Sequence, residues 1–286
     1  MKLLAEYSRK KDSFDFVDGI VLPLRGYAVE SVYSYSLEEI LSIVQNTEKE
    51  VFIKINKNLW NDDIEELKEI LQTLDAYPIQ GILFYDLAFL QIKKELQLNV
   101  PLVWAQTHMV NNYRTCDYYY DKGVEYALLG KEITLEEILE ILEKSKISSI
   151  VEVVSKPSVA FSKRKLLTHY YQDMKKEKKS NLNILESVSN QSYQLQEDAL
   201  GTHFFLDQVT NGTSVISSLY QKNCSYIYMK EYGLEDDFEE LLKDTKEYID
   251  GECKDPSYVK KYQKLGNSTN FFFQKTIYQV KKHEKN

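Results

Sequence analysis

Glu132, directly after YALLGK, and Glu152, inside SIVEVVS, are the two carboxylates of this sequence best spaced for proton chemistry. Two such groups held close raise one pKa by like-charge repulsion and give an acid and a base from one residue type, or they fix a cation between them. Lys131 and Lys54 offer the competing arrangement, in which the glutamates are locked in ion pairs. Asp86, after GILFY, either orients a ligand or caps the next helix. Gln106, His108 and Asn111 crowd the stretch WAQTHMVNN, where His108 is a candidate base or a hydrogen-bonded structural histidine. Arg164, in the middle of SKRK, is neither nucleophile nor metal ligand, because a guanidinium has no lone pair to give at neutral pH. It suits a bidentate grip on a carboxylate or phosphate, with Lys163 and Lys165 as point charges.

Familiar catalytic signatures do not accompany these residues. HExxH, GxSxG and the GxxxxGK[ST] phosphate loop are missing from the sequence, and no local Ser/His/Asp arrangement supplies a nucleophile for His108. The three cysteines, Cys116, Cys224 and Cys253, are dispersed without a CxxC pair, so neither a disulfide framework nor a local metal motif is expected. With 44 acidic against 36 basic residues the net charge is −8, which argues against a protein that coats nucleic acid by overall charge. The opening MKLLAEYSRKK has too short an apolar run for a signal-peptide core, and no stretch reaches the ~18 apolar residues of a membrane span. A soluble, cytoplasmic protein without membrane contact is expected.

The elements that must position these residues follow an alternation of apolar runs and amphipathic stretches, the pattern of a parallel sheet covered by crossover helices. Eight strands are predicted: 3–6, 19–24, 51–55, 81–85, 101–105, 125–129, 149–154 and 225–229. Eight suggest closure into a TIM-like (β/α)8 barrel, whose chemistry gathers where strands end. Ser36-x-x-Glu39 and Thr134-x-x-Glu137 read as capping boxes that start two of the helices. SRKKDSFDFVDG is too short for an ordinary crossover, so the first unit is abbreviated. An inserted substructure is expected over about 162–223, after strand seven. Residues 1–250 then form the barrel with this insertion, and 251–286 a C-terminal extension, either a strand pair or a docked segment.

The run WAQTHMVNNYRTCDYYYDKGVEYALLGKEITLEEILEIL resembles the central region of the collagenase-like peptidases, family U thirty-two. Gln106, Asn111 and Leu129-Gly130-Lys131-Glu132 occupy the places of that family's strand-end motifs. Further on, Glu152 and FSKRKLLTHYY resemble its signature segment, and EDALGTHFF, with Glu197 and His203, resembles the E-D-x-x-G-T-H of its short Gram-positive members. The likeness spans about residues 80–250. Many members carry cysteines around the signature that are thought to hold an iron–sulfur cluster; this segment has none, so a cluster-free member without metal or other cofactor is expected.

The resemblance implies a hydrolase of the peptidase type, with Glu132 and Glu152 as catalytic candidates. Asp86, Gln106, Asn111, Lys131, Arg164, Glu197 and His203 are then candidates for binding substrate. It also implies an alternative, since relatives support hydroxylation of RNA bases: a cluster-free partner that works with a longer family paralogue on tRNA uridine. Between Lys163 and Lys179 seven Lys/Arg face two Asp/Glu, with Tyr170 and Tyr171 nearby for stacking on bases. A third possibility is a non-catalytic barrel that binds an anion or a partner. A peptide or a tRNA is the expected substrate.

Overall fold

The computed structural model describes residues 1–7, 14–106, 108–179, 181–187, 190–231, 234, 238–266 and 268–275. Eight parallel strands close into a barrel: β1 (Lys2–Glu6), β2 (Gly19–Pro23), β3 (Glu50–Ile55), β4 (Gly81–Phe84), β5 (Leu102–Trp104), β6 (Tyr126–Leu128), β7 (Ser148–Ser155) and β13 (Tyr226–Met229), with β13 returning to pair with β1. Helices α1 (Leu37–Asn46), α2 (Ile64–Asp75), α3 (Ala88–Leu96), α4 (Tyr113–Asp121), α5 (Leu135–Lys144) and α7 (Ile216–Gln221) cross between successive strands. Between β1 and β2 there is no helix among the described residues; 8–13 lie outside them. Both predicted capping boxes form: Ser36 Oγ accepts from Glu39 N at 3.3 Å while Glu39 accepts from Ser36 N at 2.8 Å, and Thr134 and Glu137 repeat the exchange.

Side-chain alternation along the strands separates two cores. One face of each strand packs against the helices, as Val51, Ile53 and Ile55 do in β3. The other face fills the barrel with Leu4, Val21, Phe52, Leu83, Val103, Leu128, Ile150 and the tyrosines of β13. At the strand starts, Phe52, Tyr126 and Tyr226 meet edge to face at 5.4–6.0 Å and plug the bottom. Two residues further along, the same inward rows become polar: Leu4 gives way to Glu6, Phe52 to Lys54, Ile150 to Glu152, and Tyr228 to Lys230. The period of two thus carries an apolar floor up to a charged mouth.

The insertion is shorter than the sequence suggests. After β7 the chain forms β8 (Ser158–Ser162), α6 (Leu166–Asp173), β9 (Asn181–Leu185), β10 (Ser192–Glu197) and β11 (Thr202–Leu206), a separate antiparallel sheet in the order β8-β11-β10-β9. The chain then rejoins the barrel through β12 (Thr210–Asn211), antiparallel to β7, and α7, which is the regular crossover helix rather than part of the excursion. Leu167 and Tyr171 of α6 pack on Leu195 as a small core, so Tyr171 is buried and only Tyr170 is open for stacking.

After β13 the last barrel helix is α8 (Phe238–Asp250), residues 235–237 lying outside the described set. Beyond it α9 (Pro256–Tyr262) and 268–275 run back along the barrel. Asn211 N donates to Ser268 O at 2.7 Å, Asn270 Nδ2 to Lys131 O at 2.9 Å, and Leu135 N to Phe272 O at 2.9 Å. This segment docks rather than pairing into a hairpin among the described residues; the rest of the expected tail, 276–286, lies outside them. No helix of the described residues is long and apolar enough to cross a membrane.

Candidate functional site

At the mouth, a cavity of about 240 Å³ opens between the strand ends and β8, whose Ser158, Val159, Ala160 and Phe161 cover it. Its floor is apolar, with Leu83, Ala105 and Leu128, and its walls carry Glu30, Lys54, Tyr85, His108, Lys131, Glu132, Tyr228 and Lys230.

Three glutamates and three lysines neutralise one another here. Lys54 Nζ lies 3.0 Å from Glu6 Oε2 and donates as well to Glu30 O at 3.0 Å and Ser31 Oγ at 2.8 Å, so its three protons are all placed. Tyr228 donates to the same Glu6 oxygen at 2.8 Å. Glu152, its side chain 3 % exposed, stands between Lys131 Nζ at 3.0 Å and Lys230 Nζ at 2.8 Å and accepts from Ser155 Oγ. Glu152 Oε2 is thus engaged by Lys230 and Oε1 by Lys131 and Ser155. Glu30 sits in the left-handed region at φ 61°, a conformation that lets its loop turn the carboxylate toward the lysines.

Burial and charge oppose each other in this cluster, and the balance differs by residue. Burial works against the charge of Glu152, but Lys131 and Lys230 outweigh it and hold the carboxyl well below its ordinary range. Glu30 is treated likewise: burial opposes ionisation, and Lys131, Lys230 and Lys54 overcome it. Lys230 keeps its proton firmly, since Glu152, Glu6 and Glu30 more than offset its burial. For Lys54 burial wins, and its pKa falls in spite of Glu6. Flanked by two lysines, Glu152 is favoured as an anion, the form suited to an ion pair more than to giving up a proton.

The other expected site residues scatter around this cluster. Glu132 borders the cavity but is exposed, so it and Glu152, on adjacent strand ends, do not form a buried proton-sharing pair. Lys131 reaches the mouth as Glu152's partner. Asp86 accepts from Ala88 N at 3.0 Å and from Leu59 N at 3.1 Å, holding the start of α3 and joining two loops. Gln106 accepts from Trp104 Nε1 at 3.2 Å, and exposed Asn111 donates to His108 O at 2.9 Å. His108 Nδ1 lies 3.1 Å from Tyr85 OH at the cavity wall. Arg164 is exposed and outside the cavity; its carbonyl is held by Thr202 Oγ1 at 2.8 Å, and its guanidinium has no ion-pair partner among the described residues. Lys163 instead lies over the Trp60 ring at 3.8 Å, pinning β8 to the loop after β3.

Glu197 and His203 stand in the small sheet. Glu197 takes the backbone N–H groups of Leu167 (2.8 Å) and Thr168 (3.1 Å) at the start of α6, together with Lys178 Nζ at 2.7 Å and the Thr168 hydroxyl. Although burial works against it, these donors pull its carboxyl down to about 2. Asp198 accepts from Leu200 N and Gly201 N and lies 3.0 Å from His203 Nε2. Gly201, at φ 149°, passes so close to Ser162 that a Cβ would lie 2.1 Å from its carbonyl oxygen. EDALGTH thus pins the β10–β11 turn onto the SKRK segment.

Missed from the sequence were Glu30, Tyr228 and Lys230. Lys230 follows the predicted eighth strand directly, so the strand-end rule reaches it; Glu30 lies within a long loop and carries no local signal. No group of His, Cys, Asp and Glu among the described residues could hold a metal ion. Burial pushes Cys116 and Cys224 up to about 12 and Cys253 up to about 11, which favours the thiol form of all three.

The chain matches the model of Peptidase family U32 over residues 24–267. Tested against curated proteins, it is 25 % identical over 284 residues to tRNA hydroxylation protein P2 of Bacillus subtilis, covering 88 % of this chain and 89 % of that one. It is 26 % identical over 145 residues to an uncharacterized protease of Methanocaldococcus jannaschii, which covers 48 % of this chain and 35 % of the relative. A 21 % identity over 140 residues links it to tRNA hydroxylation protein P1 of Bacillus subtilis, again 48 % of this chain but 33 % of the relative. The chain therefore aligns with about a third of those two longer proteins. Fold, strand-end motifs and the family match agree: this chain belongs to peptidase family U32.

Proposed function

We propose that this chain is the redox-free member of a two-protein system that hydroxylates tRNA, acting with a longer family paralogue. One observation carries the reading: the mouth is built from reciprocally neutralised Lys–Glu pairs and holds no activated nucleophile, base or metal set among the described residues, so it is suited to binding and positioning rather than to cleaving a bond by itself. The end-to-end likeness to a tRNA hydroxylation protein supports the same choice over peptidase chemistry. Peptide hydrolysis would need a nucleophile or a polarised water. Glu152 is locked as an anion, and the three cysteines are buried thiols.

The basic run offers a surface for the RNA backbone. Arg164, Lys165, Lys175, Lys176, Lys178 and Lys179 are all exposed around α6, against an overall charge of −8. The test is a mass-spectrometric comparison of tRNA nucleosides from wild-type cells and cells lacking this gene. Loss of a hydroxylated nucleoside, restored by the gene in trans, is expected. An unchanged nucleoside profile, with gelatin or peptide cleavage by the pure protein, would replace this reading with the peptidase one.

A further inference from the structure

The small sheet β8-β11-β10-β9 is a body of its own at the barrel mouth. Its apolar core, Leu167, Tyr171 and Leu195 packed with Tyr193 and Phe204, is separate from both barrel cores. The pairing of β8 with β11, the close approach of Gly201 to Ser162 and the Glu197 cap on α6 bind its parts into one unit. The chain enters this unit through Lys156 and Pro157 and leaves it through Leu206 and Asp207. Leu206 N donates to Pro157 O at 2.9 Å, so entry and exit run side by side as one narrow neck at the end of β7. Rotation about such a neck leaves the hydrogen bonds of both sheets intact, which is what a hinge requires.

The edge strand of this unit lies across the mouth. Ser158, Val159, Ala160 and Phe161 of β8 line the cavity whose floor is Leu83, Ala105 and Leu128. Just past the end of β8, Lys163 Nζ sits 3.8 Å from the centre of the Trp60 ring, on the loop after β3. Around the closed barrel, β13, β1 and β2 separate β7 from β3 in one direction and β6, β5 and β4 in the other. Neck and Lys163 contact therefore stand on opposite sides of the mouth, and β8 runs between them. One end is fixed covalently; the other rests on a cation against an aromatic face. Trp60 is 64 % exposed, so this second contact lies at the surface, where cation–π pairs are weak and readily broken.

We propose that β8 and the sheet behind it form a strap over the mouth, hinged at the β7 neck and latched by Lys163 on Trp60, whose release admits ligand to the cavity. The strap gates the cavity for an RNA base or a peptide alike, so it stands apart from the tRNA reading.

The test places a thiol under the strap. Ala105→Cys puts one on the cavity floor, while Cys116, Cys224 and Cys253 are buried elsewhere in the helix-side core. Alkylation of each cysteine by iodoacetamide is followed by peptide mass spectrometry on the full chain. In this background Trp60→Leu and Lys163→Met should each speed labelling of the new thiol about three- to tenfold, the shift in opening expected from losing one cation–π contact. The double variant should be no faster than the faster single one, because both changes break the same latch. Lys165→Met, which removes the same charge from an exposed position two residues on, should leave the rate unchanged. Labelling of Cys116 should stay slow throughout, which separates strap opening from unfolding of the barrel. Should Ala105→Cys not fold, Leu128→Cys reports on the same floor. A new thiol that reacts no faster in the latch variants overturns the strap, and so does acceleration of all four thiols together. Additive effects of Trp60→Leu and Lys163→Met overturn the latch.

Discussion

Glu152 and Glu197 are both buried carboxylates kept as anions, but by opposite means. Glu152 is held by two long-range ammonium groups inside the barrel mouth, and Glu197 by the backbone donors at a helix start with one lysine added. In the first, each partner is itself a buried charge whose solvation depends on the other. In the second, the donors are peptide groups that would otherwise lack partners, reinforced by the helix dipole. The two should therefore fail differently. Removing the Glu152 charge strands two buried ammoniums, whereas removing the Glu197 charge weakens a cap that hydroxyls and water can partly replace.

The largest effect expected is from Glu152→Gln, which should lower the unfolding free energy by about 3–5 kcal/mol in urea titrations. Lys230→Met should cost a similar amount, and the double variant should be clearly less than additive, because each single change leaves the other's charge unpaired. Equal and additive losses would mean that the two groups do not compensate each other.

Gly201→Ala tests how rigidly the turn is pinned. Its Cβ would lie 2.1 Å from Ser162 O at a φ of 149°, so the turn must move away from the signature segment. A loss of about 2–4 kcal/mol is expected, with increased proteolysis between β8 and β11 and the barrel left folded.

Glu197→Gln should cost about 1.5–3 kcal/mol, the scale of charge-assisted hydrogen bonds. The pH dependence gives its sign. The folded pKa is depressed from 4.5 to about 2, so the stabilisation is complete above pH 4.5 and is lost as pH falls toward 2. The wild type's acid limb should be steeper than the variant's in that window. Parallel limbs would show that Glu197 does not ionise differently on folding.

How far the sequence reaches is visible in these same residues. Barrel strands buried on both faces are near-continuous apolar runs, so eight of them were readable. Their ends put Lys54 and Glu152 among the candidates, and in the structure the period of two turns both inward. Local chemistry also sufficed for the capping boxes, whose partners lie three residues apart. The tie between Glu197 and Leu167 spans 30 residues across a sheet the sequence pattern did not resolve, so EDALGTH looked like a ligand-binding string. Glu30 was unreadable for a related reason: what brings it to the lysines is a left-handed backbone turn at a residue type that rarely adopts one. Arg164 was a candidate for gripping a substrate anion, but the β8 strand follows β7 and carries Lys163 to Trp60 while leaving Arg164 outside the cavity.

That displacement makes Arg164 a direct probe of the basic surface around α6 and the mildest perturbation of the fold. Its side chain is exposed and has no ion-pair partner among the described residues, while its backbone carbonyl does the structural work through Thr202. Arg164→Ala should therefore change unfolding free energy by less than about 0.5 kcal/mol. If the cations around α6 follow an RNA backbone, the same variant should weaken tRNA association several-fold at low salt and lower the slope of log affinity against log salt by about one contact's worth, roughly 0.7–0.9. Arg164→Lys should restore much of the salt slope, since a point charge suffices for a phosphate, but less of the affinity where the fork is engaged.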